Sequence, residues 1–219
     1  MTMETLPQHT PATNPHLSLY PIARVASALA LVALLIGGSL MAATTPLQLA
    51  APADDPWRPV REQPAIFALA AVALALISTF DLFTIPALHQ RLHRDHPTLI
   101  VVATITAALG DVLGVIGRLL QLAEVPAAMA ANAHPALIAV VENTFNTAGF
   151  ALVSVSFACF GFAMLTGFRR WLGIVGVIAG VATALGQLPG WDAVFAIANL
   201  AFVAWYIGLI VGLRPASTR

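Results

Sequence analysis

Residues 98–123 read TLIVVATITAALGDVLGVIGRLLQLA, and the nature of the protein follows from them. At ~1.5 Å per residue a helix over this run is ~39 Å long, more than the ~30 Å hydrocarbon core of a bilayer. Asp111 and Arg118 are its only charged residues. A surface helix of a water-soluble protein carries polar residues on one whole side. Here apolar residues surround the axis, so the run predicts a membrane-spanning helix rather than an amphipathic one.

Similar runs lie on both sides of it, at 22–43, 64–88, 135–166, 171–188 and 193–213. Together they predict an all-α integral membrane bundle of about six transmembrane helices over residues 22–213. Composition agrees. Of the 219 residues, 59% are hydrophobic and 9% charged, against about a quarter charged in soluble domains. Mean hydropathy is +0.86. Residues 1–21 are rich in Pro, Thr and His and read as a disordered cytoplasmic tail, and 214–219 as a second cytoplasmic tail. The long connection at 44–63, with Asp54, Asp55 and Trp57, reads as an external loop.

Net charge is zero, but its distribution is uneven. All ten basic residues are arginine, which excludes Schiff-base chemistry on lysine. Arg24, Arg91, Arg94, Arg169, Arg170, Arg214 and Arg219 flank one set of span ends, while only Arg58 and Arg61 flank the other. The positive-inside rule places the first set, and both termini, in the cytoplasm. The first apolar run, 25–41, exceeds the ~7–15 residues of a signal-peptide core, so it reads as a retained span.

Four ionisable residues fall inside predicted spans: Asp81, Asp111, Arg118 and Glu142. Each costs ~2.5–3.5 kcal/mol at mid-helix on insertion scales, so four facing lipid would cost on the order of 10 kcal/mol. They must face one another, the bundle interior or a cavity. Arg118 and Glu142 lie ~7 and ~9 Å from the outer ends of their spans, so antiparallel neighbours would pair them. Asp111 shares a helix face with Arg118 seven residues away, and Asn146 shares one with Glu142, beside Asn143. Asp192, Asn199 and Tyr206 recur every seventh residue on the last span. Asp111, Arg118, Glu142, Asn146 and Asn199 are therefore the candidate ligand-binding set, lining a polar cavity open to the external side. The alternative is a satisfied network that fixes helix register. Asp81 stands apart from this set, as a possible first site of a proton path continuing to Asp111.

Other features have plainer readings. His89, His93 and His96 surround the second cytoplasmic turn, where Arg91 and Arg94 disfavour a metal cation and suit an anionic lipid surface. His134 lies on the external side. Cys159, the single cysteine, reads as a buried structural thiol. No metal site, cofactor motif or catalytic signature is present, and juxtamembrane arginines give no support to nucleic-acid binding. Gly110/Gly114 and Gly176/Gly180 are GxxxG pairs that allow close helix approach.

Three motifs carry a family resemblance. They are Gly117-Arg118-Leu119-Leu120-Gln121, the NTFNTAG stretch at 143–149, and Arg169-Arg170-Trp171-Leu172-Gly173-Ile174-Val175-Gly176. With them the chain resembles, from its second span onward, a family of bacterial multipass proteins catalogued as a domain of unknown function. The resemblance implies a compact helical protein of the bacterial cytoplasmic membrane and no particular activity. Three functions fit: binding of a small or lipidic ligand by the chain alone or as a homo-oligomer, an accessory subunit of a larger membrane complex, and an intramembrane enzyme using Asp111 or Glu142 as acid or base.

Overall fold

A computed structural model of the protein describes residues 19–130, 135–188 and 190–213. The terminal tails expected at 1–21 and 214–219 fall almost wholly outside them, as do His134, Arg214, Arg219 and the Asp192 side chain. Seven helices occur among the described residues: α1 (Tyr20–Leu49), α2 (Arg58–Glu62), α3 (Pro64–Leu92), α4 (Pro97–Met129), α5 (Pro135–Gly167), α6 (Arg170–Leu185) and α7 (Asp192–Gly212). No strand occurs among the described residues. Proline opens α3, α4 and α5, where its missing N–H and fixed φ suit the first turn.

Five helices, α1, α3, α4, α5 and α7, are long and apolar enough to cross a membrane. The sixth apolar helix, α6, has 16 residues and is ~24 Å long, short of a full hydrocarbon core. The apolar run predicts a span to 188, but the helix stops at Leu185 and gives way to a turn at Gly186 and Gln187. Gly190 follows at φ +81°, a left-handed conformation that glycine adopts without a Cβ clash.

Consecutive helices of the bundle alternate in direction. Ser27 of α1 faces Thr84 of α3 at 3.5 Å, and His89 of α3 bonds Thr104 of α4 at 2.8 Å. A Cβ on Gly110 of α4 would lie 2.8 Å from Val153 of α5. One on Gly161 of α5 would lie 2.6 Å from the Val177 backbone of α6, and one on Gly180 would lie 2.5 Å from the Ser154 carbonyl. At Gly208, α7 meets Trp171 and Leu172, whereas at its other end Phe195 meets Gly186. Short as it is, α6 therefore traverses the bundle. The start of α1 and the end of α7 then meet at one end, where Arg24 Nε donates to the Ile210 carbonyl at 3.0 Å. The two GxxxG pairs are occupied within the chain: Gly110 and Gly114 abut α5 and α3, and Gly176 and Gly180 abut α5 and Trp205.

The long connection is more helical than its composition suggests. Helix α1 continues to Leu49, with Pro46 in its final turn, and α2 occupies 58–62. Val60 of α2 packs with Phe67, Val125 and Ala128, which attaches this segment to α3 and α4. Arg58 bonds Glu62 at 2.7 Å and Arg61 bonds Asp55.

Burial divides the bundle in two. The main core runs through Ala23, Leu88, Leu92, Ile100, Met164, Leu172 and Leu209, all in the half where the chain enters and leaves. Arg24, Arg91, Arg94, Arg169 and Arg170 stand at that same end. Outward, Val25, Leu29, Val32 and Ile36 of α1 and Leu109, Val112 and Leu119 of α4 are exposed over long faces. Contiguous apolar surface on that scale is unsuited to water and suited to lipid. This is a multipass membrane protein, and its less densely filled half holds the site.

Candidate functional site

Close approach of α4 and α5 builds the outer wall of the site. Gly117 has no side chain, and the space its Cβ would take is filled by the Asn146 amide of α5. One turn earlier on α5, the Glu142 carboxylate accepts a hydrogen bond from Asn146 Nδ2. It also lies 3.8 Å from Arg118 Nη1 of α4. Each side chain of the pair is 15% exposed. Arg118 Nη1 additionally donates to Gln121 Oε1 at 2.9 Å. Depth matching predicts this ion pair, and the antiparallel α4/α5 contact forms it.

Deeper, Asp111 of α4 and Asp81 of α3 face the same space. The Tyr206 hydroxyl of α7 donates to Asp81 Oδ2 at 2.6 Å. Asp111 is 5% exposed and Tyr206 2%. Asp81 does not stand apart, as its position in the sequence suggested; it belongs to the floor of the site with Asp111. The depth argument that pairs Arg118 with Glu142 would also have found it. Asp81 lies 11 residues before the end of α3 and Asp111 14 residues after the start of α4, ~17 and ~21 Å from that face.

Asp81, Asp111, Arg118, Asn146 and Tyr206 line a cavity of about 450 Å³ between α1, α3, α4, α5 and α7. Its volume lies within the ~300–1,000 Å³ of small-molecule sites. Asp81, Asp111, Arg118, Asn146, Asn199 and Tyr206 supply its polar lining, with the Thr45 and Ser78 hydroxyls. Of the expected set, Asp111, Arg118, Asn146 and Asn199 reach the cavity directly. Glu142 does not; it stands behind Arg118 and Asn146 and holds both. Phe150 and Phe157 of α5 and Phe195 and Phe202 of α7 form an aromatic wall, with Phe157 and Phe202 edge-to-face at 4.9 Å. A smaller pocket of about 30 Å³, lined by Asp81, Asp111, Thr84 and Ser156 among others, extends the floor toward the packed half.

The cavity reaches the bundle surface between α1 and α7. Gly38, Ala42 and Thr45 of α1 and Asn199 of α7 line it and are themselves exposed. Asn199 is seven residues, or ~10 Å, into α7. The mouth therefore lies along the side of the bundle as well as toward its end. The sequence marks Asn199, but nothing in it marks Gly38 or the aromatic wall as cavity lining.

The histidines at the opposite end form a separate group. His89 stacks on His93 with ring centroids 4.7 Å apart, and His96 Nε2 lies 2.6 Å from Thr166 Oγ1. Arg91 lies over the Phe168 ring at 5.4 Å. These contacts tie the α3–α4 turn to the end of α5.

No curated protein and no solved structure matches the chain. The model of one family does, over residues 25–213. The match begins in the second turn of α1 and so takes in the first helix, which the three sequence motifs leave out. The chain belongs to that family, a domain of unknown function (DUF4386).

Proposed function

We propose that this protein binds a small or lipidic ligand in the cavity between α1, α3, α4, α5 and α7, from the external side of a bacterial cytoplasmic membrane. One observation carries the reading. A volume of about 450 Å³ is lined by eight polar side chains inside a bundle whose other half is closely packed. A network serving only to fix helix register needs no such volume. The arginine asymmetry supports the orientation, since the mouth lies in the half opposite Arg24, Arg91, Arg94, Arg169 and Arg170. The resemblance to bacterial multipass proteins supports the membrane.

Native mass spectrometry of the intact protein, released from mild detergent, tests this. A retained small-molecule or lipid mass is expected. Gly38→Phe should remove it, because Gly38 lines the mouth and a Cβ there meets nothing within 4 Å, which leaves room for a ring to obstruct entry. A bare wild-type chain would refute the reading. A chain carrying a second polypeptide and no ligand would favour an accessory subunit instead.

A further inference from the structure

The cavity floor holds two carboxyl groups and no basic side chain. The ion pairs among the described residues are Arg58–Glu62, Arg61–Asp55 and Arg118–Glu142, and none includes Asp81 or Asp111. Arg118, the one basic residue lining the cavity, is engaged by Glu142 and Gln121. It also sits seven residues from Asp111, ~10 Å along α4. Two carboxyl groups thus face a membrane-embedded cavity without a cationic partner. Asp111 is 95% buried among helices yet opens onto the cavity (5% exposed). The polar neighbour of Asp81 is a phenol, which donates a hydrogen bond but carries no positive charge.

The walls above that floor are aromatic. Phe150 stands edge-to-face with Phe195 at 5.8 Å, and Phe157 packs against both Phe202 and Trp205. Phenylalanine faces attract cations through the ring quadrupole, and they accept apolar groups equally well. Carboxyls below and phenyl rings at the side suit a positive nitrogen carried on an apolar body. An anion would meet the two aspartates. A small hydrated metal ion would leave the aromatic wall without a role. The mouth between α1 and α7, bordered by Gly38, Ala42 and Thr45, opens on the side of the bundle, which suits entry of an amphiphile from the lipid.

We infer that the ligand is a lipophilic organic cation, its charge seated by Asp81 and Asp111 and its apolar part held against the phenylalanines of α5 and α7. This inference rests on the ligand-binding reading of the cavity and specifies its chemistry. A water-soluble amine and a cationic lipid share that chemistry.

The test compares benzyltrimethylammonium with neopentylbenzene, its uncharged carbon isostere, by calorimetry on the full chain in nanodiscs of zwitterionic lipid. The cation should bind at least ~10-fold more tightly than the isostere, a difference of ~1.4 kcal/mol. Asp111→Asn and Asp81→Asn, near-isosteric changes, should each weaken the cation ~10-fold or more and leave the isostere unchanged. Repeating the titration with a dialkyl-dimethylammonium lipid in the disc separates the sources: competition by that lipid favours entry from the bilayer, and its absence favours entry from water. Equal affinity for the two probes, or cation binding that survives both substitutions, would overturn the inference. If the isostere binds and Gly38→Phe abolishes it, the cavity stands and only the cation is lost. If neither probe binds and native mass spectrometry shows a bare chain, both readings fall.

Discussion

Removing one partner of the Arg118–Glu142 pair should destabilise the bundle far more than removing both. The closest nitrogen–oxygen separation is 3.8 Å, and both side chains are 15% exposed. With an effective dielectric of about 20, Coulomb's law gives about 4 kcal/mol for unit charges at that distance. Glu142→Gln leaves the guanidinium with only the neutral Gln121 and a neutral amide. Arg118→Met leaves the carboxylate with only Asn146. Each single change should cost about 3 kcal/mol, since breaking a buried pair strands a charge. The double variant should cost only about 1–2 kcal/mol, because an uncharged Met–Gln pair of similar volume escapes the desolvation penalty of two ions. The coupling energy is then about 4–5 kcal/mol. Unfolding by sodium dodecyl sulfate in mixed micelles, followed by circular dichroism, gives the four stabilities required. A coupling below about 0.5 kcal/mol would show that the two groups are screened or separately solvated, and that the depth argument locates neighbours without an interaction.

Other outcomes follow from the same geometry. Gly180→Val should lower stability by about 1–3 kcal/mol or prevent folding, because its Cβ would lie 2.5 Å from the Ser154 carbonyl, whereas Gly38→Ala should be near neutral; thermal unfolding in detergent compares them. Tyr206→Phe should cost about 1–3 kcal/mol in the same assay, through loss of the 2.6 Å bond to Asp81 inside the bundle. In a Cys159→Ala background, Arg58→Cys should react with a membrane-impermeant maleimide on intact cells and Arg91→Cys only after permeabilisation. The reverse pattern would invert the orientation, and with it the side from which the cavity opens.

Much of the architecture was legible because the bilayer is a simple solvent. An apolar run long enough to cross ~30 Å has few alternatives to a helix, since backbone groups cannot be left unpaired in hydrocarbon. Short connections make neighbouring helices antiparallel, and depth then follows from counting residues. That is how Arg118 and Glu142 could be paired from sequence. The weak points were the ends. The apolar run at 22–43 predicts a shorter first helix, but proline is tolerated in the final turn of a membrane helix, and α1 runs on through Pro46 to Leu49. With 16 residues α6 falls short of a span by length, and its contacts with α5 and α7 show that it crosses the bundle.

The sequence by itself determined the membrane solvent, the number of apolar helices, the arginine asymmetry and the depth of each ionisable residue. Each of these depends on position along one chain, which composition and a fixed rise per residue supply. Tertiary structure alone decided which side chains share a space. It moved Asp81 into the floor beside Asp111, turned Glu142 from cavity lining into a support for Arg118, and raised the aromatic wall of α5 and α7. Those outcomes depend on the rotation of each helix about its axis. That rotation is set by where glycines let backbones touch, as at Gly117 against Asn146 and Gly161 against Val177. Such contacts are properties of two surfaces at once, so neither helix's sequence contains them.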